Sequence, residues 1–401
     1  MYFFQKKILF LFFTCFTLTL LLGCSSAPER KALPAQLISQ ASIPGVPDAR
    51  FWVDEWPKFS IDFFDSLTKS NIKNHYSGIF NVPHNYLAIS GGGANGAFGA
   101  GLLAGWAVKG TRPEFSMVTG VSTGALTAPF VFLGTEYDDE VKNLYTTTTT
   151  IDIAKSRGFI SGLLSDSMAD TTPLKKLIKK YITQDMIDDI GKEHKRGRRL
   201  FVSTLNLDAA RTVIWNIGAI AASDYPDKTP LIHEVLRASA AIPVAFPPVM
   251  IPVEINGQQY DEMHVDGGTG SQVFVYPAVA NWKAITKKLK VPGKPNVFII
   301  RNSYLEPDYN GVTPNIISIA SRSIESLIRT QGVGDLYQIY ALCQRDGNDF
   351  NLAYIPADIT ITPTEEFDPV YMTHLYERGY NMALKGYPWK KGPPGFLAIE
   401  N

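Results

Sequence analysis

The segment that decides the fold is Phe115-Ser-Met-Val-Thr-Gly-Val-Ser-Thr-Gly124. A short apolar run leads into Gly120, the pattern G-x-S-x-G centres on Ser122, and small or helix-tolerant residues follow as far as Ala128. This order of strand, tight turn and helix is the context in which a serine becomes a nucleophile. Glycines flank the serine because such a turn is strained and has no room for neighbouring side chains. An ordinary glycine-rich turn has the same pattern, so the surroundings must decide between the two.

A second glycine-rich turn begins at Gly91, 31 residues before Ser122. The apolar run Asn85-Tyr-Leu-Ala-Ile-Ser90 leads directly into Gly91-Gly-Gly-Ala-Asn-Gly96, and a helical pattern follows. Successive glycines let backbone N–H groups converge on an anion, either a phosphate or the oxyanion of an ester intermediate. A dinucleotide is disfavoured because no acidic residue follows a second strand at the expected distance. The 31-residue spacing suits one crossover helix to the next parallel strand.

A hairpin farther along the chain ends in a carboxylate. Val249, Ile251, Val253 and Ile255 alternate with other residues up to Asn256-Gly257, which is a strong hairpin signal. The returning arm ends at His264-Val-Asp-Gly-Gly268. Asp266 is therefore expected on a tight turn at a strand end, where it is either a functional carboxylate or part of an Asx-turn.

Strand and helix patterns alternate over most of the remaining chain. Strands are predicted at 200–207, 211–215, 296–301 and 350–355, and helices at 230–240, 316–343 and 369–385. Such alternation predicts an α/β fold, a three-layer sandwich with a central, mostly parallel sheet.

The first 23 residues have the features of an export signal. Lys6 and Lys7 precede an apolar run that is short for a membrane-spanning helix, and the run ends in Leu21-Leu-Gly-Cys24-Ser-Ser26. This ending resembles the lipobox of bacterial lipoproteins, whose cysteine is lipidated after cleavage before it. A plain signal peptide and a membrane anchor are the alternatives. Ser25, where some lipoproteins have Asp, resembles the pattern of lipoproteins sent to the outer membrane of the bacterial cell envelope.

The predicted organisation is a lipoprotein signal peptide at 1–23, a flexible tether at 24–50 and one catalytic domain at 51–401. The tether is expected because Pro28, Pro34, Pro44 and Pro47 lie among small and polar residues. The 401-residue chain is 45% hydrophobic and 19% charged, and its formal net charge is zero. This balance does not suggest nucleic acid as a partner, and no glycine-lysine phosphate loop is present. We expect no cofactor and no metal.

Four motifs in order resemble the patatin-like phospholipase family. They are Gly91-Gly-Gly-Ala-Asn-Gly96, Gly120-Val-Ser-Thr-Gly124, Ala238-Ser-Ala-Ala-Ile-Pro-Val-Ala-Phe-Pro-Pro248 and Asp266-Gly-Gly268. The resemblance covers roughly 85–268 and extends plausibly to the C-terminus. One departure is Asn95, where the family usually has Arg or Lys.

The resemblance implies a serine acyl hydrolase that acts on esters of lipids or phospholipids through a Ser-Asp dyad without histidine. Ser122 would be the nucleophile, Asp266 the base, and Cys24 the lipidated membrane attachment. The implied oxyanion donors are Gly91, Gly92, Gly93 and Ala94, and the residues that support the motifs are Asn95, Gly96, Gly120, Gly124, Gly267 and Gly268.

Two other hypotheses are open at this stage. Ser122, Asp358 and His374 occur in the chain order of an ordinary α/β-hydrolase triad. The protein could also be a non-enzymatic lipoprotein that binds lipid or a partner on a decayed hydrolase fold. The intact Ser122 and Asp266 argue against decay, and Asn95 argues mildly for it.

Overall fold

One large sheet organises the molecule. The structure, a computed structural model, describes residues 30–158, 165–307, 309 and 311–396. Its strands are β1 (Arg50–Trp52), β2 (Asn85–Ile89), β3 (Met117–Gly120), β4 (Lys155–Ser156), β5 (Ala169–Asp170), β6 (Arg199–Asn206), β7 (Arg211–Asn216), β8 (Val249–Ile255), β9 (Gln258–Asp266), β10 (Asn296–Arg301) and β11 (Asp349–Tyr354). All except β4 and β5, which pair separately, belong to the large sheet.

The described helices follow the strands in the order expected of an α/β protein. They are α1 (Lys58–Ser66), α2 (Lys69–His75), α3 (Gly96–Val108), α4 (Thr123–Leu133), α5 (Asp138–Thr147), α6 (Thr150–Ile153), α7 (Thr172–Tyr181), α8 (Gln184–Lys195), α9 (Ile217–Ala222), α10 (Lys228–Ser239), α11 (Trp282–Lys288), α12 (Ile316–Asp346) and α13 (Pro369–Lys385). No helix in the described ranges is both long enough and apolar enough to span a bilayer.

The centre of the sheet is parallel and its flank is antiparallel. The order β6-β3-β2-β10-β11 is parallel throughout, whereas β1, β7, β8 and β9 join it in antiparallel pairs. Because successive side chains on a strand face opposite ways, Leu87 and Ile89 enter one core while Tyr86 and Ala88 enter the other. Helices α3, α4, α10 and α13 cover the first face, and α11 with the C-terminal half of α12 covers the second. The predicted three-layer α/β sandwich is confirmed.

The structure differs from the sequence prediction of a flexible tether over 24–50. Residues 30–50 lie on the domain, where Leu33, Ile43 and Val46 are buried in its main core. Ser42 pairs with Glu254 of β8, and Arg50 forms an ion pair with buried Glu262 of β9. A proline-rich composition lowers helix formation but does not stop scattered apolar side chains from being buried. Residues 24–29, together with the predicted signal peptide and Cys24, lie outside the described residues.

Candidate active site

Ser122 occupies a strained turn between β3 and α4. Its backbone has φ 54° and ψ −124°, a region that costs a non-glycine residue about 1–3 kcal/mol. A Cβ on Gly120 would lie 2.4 Å from the Gly124 carbonyl oxygen, and one on Gly124 would lie 2.3 Å from that of Ile89. Both glycines are therefore required by close backbone approach, as the sequence pattern predicts. The Ser122 side chain is held at the carboxyl end of the parallel strands, where α/β folds bind their ligands.

A buried serine from another helix holds this turn in place. The amide of Ser122 donates a hydrogen bond of 3.0 Å to Oγ of Ser239, which is fully buried at the end of α10. Ser239 lies inside the motif at 238–248, but the sequence analysis did not assign it a role. The bond occupies the serine's own amide, so this amide is not free to bind an oxyanion.

The register of β6 brings Asp266 beside Ser122. One edge of β6 pairs first with β3, where Val202 lies opposite Gly120, and then with β9, where Thr204 lies opposite Asp266. Gly120 and Asp266 thus occupy positions two residues apart along one strand, a separation of roughly 7 Å. The turn after Gly120 carries Ser122 across this gap, so the Ser122 hydroxyl lies close enough to the Asp266 carboxylate to lower its pKa.

Asp266 is enclosed on all sides. The side chain is only 5% exposed, and its Oδ1 accepts a 2.7 Å hydrogen bond from the Gly268 amide. The carboxylate therefore closes an Asx-turn, which is one of the two possibilities that the sequence left open, and it also lies beside Ser122. Burial raises the pKa of Asp266 from 3.8 to about 7, although Ser122 and the hydrogen bond from the Gly268 amide act in the opposite direction. The carboxylate is consequently a much stronger base than a solvated aspartate.

The turn at Gly267 and Gly268 is also closely packed. A Cβ on Gly267 would lie 2.4 Å from Oγ of Ser203, and one on Gly268 would lie 2.3 Å from Nε2 of Gln272. Gln272 in turn donates from Nε2 to the Gly268 carbonyl at 3.1 Å. These contacts fix the backbone that presents Asp266.

The glycine loop at 91–96 lies directly against Ser122. A Cβ on Gly91 would lie 3.1 Å from Cβ of Ser122. The Gly91 amide is engaged, since it donates to the Gln272 carbonyl at 3.3 Å. Gly92 and Gly93 have φ of 153° and 54°, which turns the backbone into a short 3-10 segment ahead of α3. The amides of Gly92, Gly93 and Ala94 are thus the remaining predicted oxyanion donors.

Asn302, just after β10, holds this loop in place through three hydrogen bonds. Its amide donates to Oγ of Ser90 at 2.9 Å, its Nδ2 donates to the Ser90 carbonyl at 3.1 Å, and its Oδ1 accepts from the Gly99 amide at 3.1 Å. Its carbonyl oxygen would lie 2.1 Å from a Cβ on Gly92. The sequence analysis missed Asn302, although its position at the carboxyl end of a predicted parallel strand was an available signal.

Asn95 and Gly96 connect the loop to the surrounding helices. Oδ1 of Asn95 accepts a 2.7 Å hydrogen bond from the Tyr371 hydroxyl of α13. A Cβ on Gly96 would lie 2.5 Å from Oγ1 of Thr123, so α3 and α4 approach closely here. Asn95, the departure from the family pattern, is therefore built into the packing of the loop.

The alternative triad is not assembled. His374 is exposed on α13, and Asp358 forms a 2.5 Å ion pair with Arg378. Within the described residues, neither side chain forms a hydrogen bond with Ser122. The same part of the chain contains no group of three or more His, Cys, Asp or Glu side chains that could hold a metal ion.

The family comparison agrees with this geometry. Residues 87–279 match the family described as patatin-like phospholipase. The matched region contains the glycine loop, the turn at Ser122 and Asp266, and it is similar to the patatin-like phospholipase family.

The solved structures that match this chain include two bacterial proteins. VipD from Legionella pneumophila has 14% sequence identity and a TM-score of 0.37, and the match covers 76% of this chain and 66% of VipD. ExoU from the type III secretion system of Pseudomonas aeruginosa, solved in complex with SpcU, has 14% identity and a TM-score of 0.22. That match covers 76% of this chain and 52% of the other. No curated protein matches the sequence.

Proposed function

We propose that Ser122 and Asp266 form a catalytic dyad that hydrolyses carboxylic esters of lipids or phospholipids. The observation that carries this proposal is the pairing of β6 with β3 and with β9, which places the buried Asp266 carboxylate beside Ser122. No histidine is involved, because the triad partner that the sequence offered, His374, is exposed on α13.

The reaction begins when Oγ of Ser122 attacks the ester carbonyl carbon and Asp266 accepts the hydroxyl proton. The tetrahedral oxyanion is stabilised by the backbone amides of the loop at 92–94. Collapse of this intermediate breaks the bond to the alcohol, which leaves with the proton from Asp266. Water, deprotonated by Asp266, then attacks the acyl-enzyme and releases the fatty acid, and the proton returns to Ser122.

The environment of Asp266 makes a lone carboxylate adequate as the base. A solvated aspartate with a pKa near ~3.9 has little affinity for a serine proton. Burial raises the pKa of Asp266 to about 7, which matches the best working range of a general base near neutral pH. The same burial excludes water from the proton that is transferred.

Three single variants test the dyad on a phospholipid, a lysophospholipid and a short p-nitrophenyl ester. Ser122→Ala and Asp266→Asn should each remove hydrolysis, while His374→Ala should keep most of it. Asp261→Asn is the matched control, because it makes the same substitution on the same strand, where the structure shows no contact with Ser122. Activity that survives Asp266→Asn and vanishes with His374→Ala would refute the dyad.

We further propose that the mature protein is anchored by an acylated Cys24 in the bacterial outer membrane. The support is the lipobox ending at Cys24 and the serine that follows it. Mass spectrometry of the mature N-terminus should find an acylated cysteine as the first residue. Membrane fractionation should place the protein in the outer membrane, and Ser25→Asp should move it to the inner one. An unmodified Cys24 would refute the anchor without affecting the dyad.

A further inference from the structure

A large cavity lies at the edge of the sheet opposite the active site. It has a volume of about 590 Å³ and lies beside His84, Ser116 and Arg199, at the starts of β2, β3 and β6. We call it the rear chamber and define it by its aromatic walls, which are Phe51, Trp56, Tyr86, Phe201 and Trp282. Its volume is within the range of small-molecule sites, roughly 300–1,000 Å³. The position is unusual, because α/β sheets bind ligands at the carboxyl ends of their strands.

The rear chamber is separate from the catalytic centre. Met117 is the last residue of β3 that lines it, and Ser122 comes five residues later. Between them, the Thr119 hydroxyl donates a hydrogen bond to the Phe274 carbonyl. This contact joins the sheet to the covering chain at that point, and neither Ser122 nor Asp266 lines the chamber.

The walls suit an aliphatic chain. Trp282 stacks on Tyr276 with ring centroids 4.3 Å apart and makes edge contacts with Trp56 and Tyr86. These contacts hold the aromatic walls apart instead of letting them collapse into the cavity. An alkyl chain placed between them would gain about 0.8 kcal/mol for each buried methylene group.

One end of the chamber carries the guanidinium group of Arg199. Arg199 donates from Nη1 to the carbonyls of His194 and Arg198 at 3.1 and 2.9 Å, and its guanidinium lies 5.5 Å from the Tyr76 ring centre. Among the described residues no carboxylate lies within ion-pair distance of Arg199. Asp48 also lines the chamber and interacts electrostatically with Arg199, but its Oδ2 accepts a 2.9 Å hydrogen bond from the Ser60 hydroxyl and burial raises its pKa. A half-buried cation that forms no direct ion pair favours an anionic ligand group.

We propose that the rear chamber binds a single-chain amphiphile with an anionic head, with the head at Arg199 and the chain between the aromatic walls. A long-chain fatty acid and an alkyl phosphate share this chemistry. Helix α1 forms the outer wall, where Ile61 and Phe63 line the chamber while remaining 36% and 40% exposed. The ligand would therefore enter beside α1. The proposal does not depend on the catalytic dyad.

Tryptophan quenching by a brominated fatty acid tests the proposal. The full chain with Cys24→Ala is titrated with 9,10-dibromostearate, its methyl ester and hexadecyl phosphate. Bromine quenches only nearby indoles, and Trp56 and Trp282 are in the chamber wall. The acid should quench saturably at micromolar concentration, and the uncharged ester should bind at least tenfold more weakly, because a hydrogen bond to a charged group is lost. Hexadecyl phosphate distinguishes recognition of any anion from recognition of a carboxylate.

Two sets of variants localise the site. Arg199→Gln should weaken binding of the acid about tenfold or more. Arg378→Gln, which removes an arginine from an ion pair on α13, should leave binding unchanged. The double change Trp56→Phe with Trp282→Phe should remove the quenching, since binding in the active site would not depend on these indoles. Equal binding of acid and ester, or quenching that survives the double change, would overturn the proposal. If Arg199→Gln does not fold, the comparison of the acid with its methyl ester still tests the proposal, because it uses the protein with Arg199 intact.

Discussion

Replacing Asp266 by asparagine should stabilise the protein at alkaline pH while it removes catalysis. The side chain is 5% exposed, so solvent screens its charge very little. Burial raises its pKa from 3.8 to about 7, a difference of about three pKa units. At roughly 1.4 kcal/mol for each unit, the ionised carboxylate costs the folded state about 4 kcal/mol. Asparagine keeps an oxygen for the Gly268 amide and carries no charge.

The free-energy cost of the ionised Asp266 carboxylate depends on pH. Between pH 3.8 and about 7 the folded protein keeps a proton on Asp266 that the unfolded chain has lost. Because the folded state then binds more protons, its stability falls as the pH rises through this window. Below pH 3.8 both states are protonated and the cost vanishes. The stability difference between Asp266→Asn and the unsubstituted protein should therefore grow from near zero at pH 4 to several kcal/mol at pH 8.

Guanidinium chloride unfolding at pH 4, 5, 6, 7 and 8 measures this difference. Asp368→Asn is a control of opposite sign. Asp368 caps α13 by accepting from the Val370 amide, and hydrogen bonds, chiefly from Thr364, lower its pKa to about 2. Its substitution should destabilise the protein at neutral pH, and that loss should shrink as the pH falls toward 2. A stability gap for Asp266→Asn that does not change with pH, or that has the opposite sign at pH 8, would refute the reasoning.

Three further predictions concern the loop and the N-terminal segment. Gly92→Val should lower turnover by about 10²–10³, because a Cβ at this position would clash with the Asn302 carbonyl oxygen and displace an oxyanion donor. A near-normal kcat would place the donors elsewhere. Asn302→Ala should lower kcat with little change in KM, and steady-state kinetics that show the reverse would contradict its positioning role. Arg50→Met should destabilise the protein by about 3–5 kcal/mol in denaturant titrations, because buried Glu262 loses its arginine and keeps only the contact with His264. The control Arg211→Met, in a more exposed ion-pair cluster, should cost about 1 kcal/mol or less, and equal losses would contradict the argument.

Much of the candidate site could be predicted because its motifs act locally. The positive φ of Ser122 and the close backbone approach at Gly120 and Gly124 are properties of one short turn. Residues that allow such a turn can be recognised without the rest of the molecule. The same holds for the hairpin at Asn256-Gly257, which joins β8 to β9 as predicted and delivers Asp266 to the end of a strand.

Other features depend on contacts between distant parts of the chain. Proline content suggested a tether at 24–50, but burial of Leu33, Ile43 and Val46 outweighs the cost of ordering residues 30–50. The hydrogen bonds of Asn302 and the walls of the rear chamber also bring together residues that are far apart in the sequence.

The sequence by itself determined the α/β class, the serine turn, the glycine loop and the strand that ends at Asp266. Only the tertiary structure decided that Asp266 lies beside Ser122 while His374 is exposed on α13. The deciding contact is the shared edge of β6, which pairs with β3 at Val202 and with β9 at Thr204. Turn conformation follows from the sterics of a few adjacent residues, whereas strand pairing follows from the burial of whole faces across the chain.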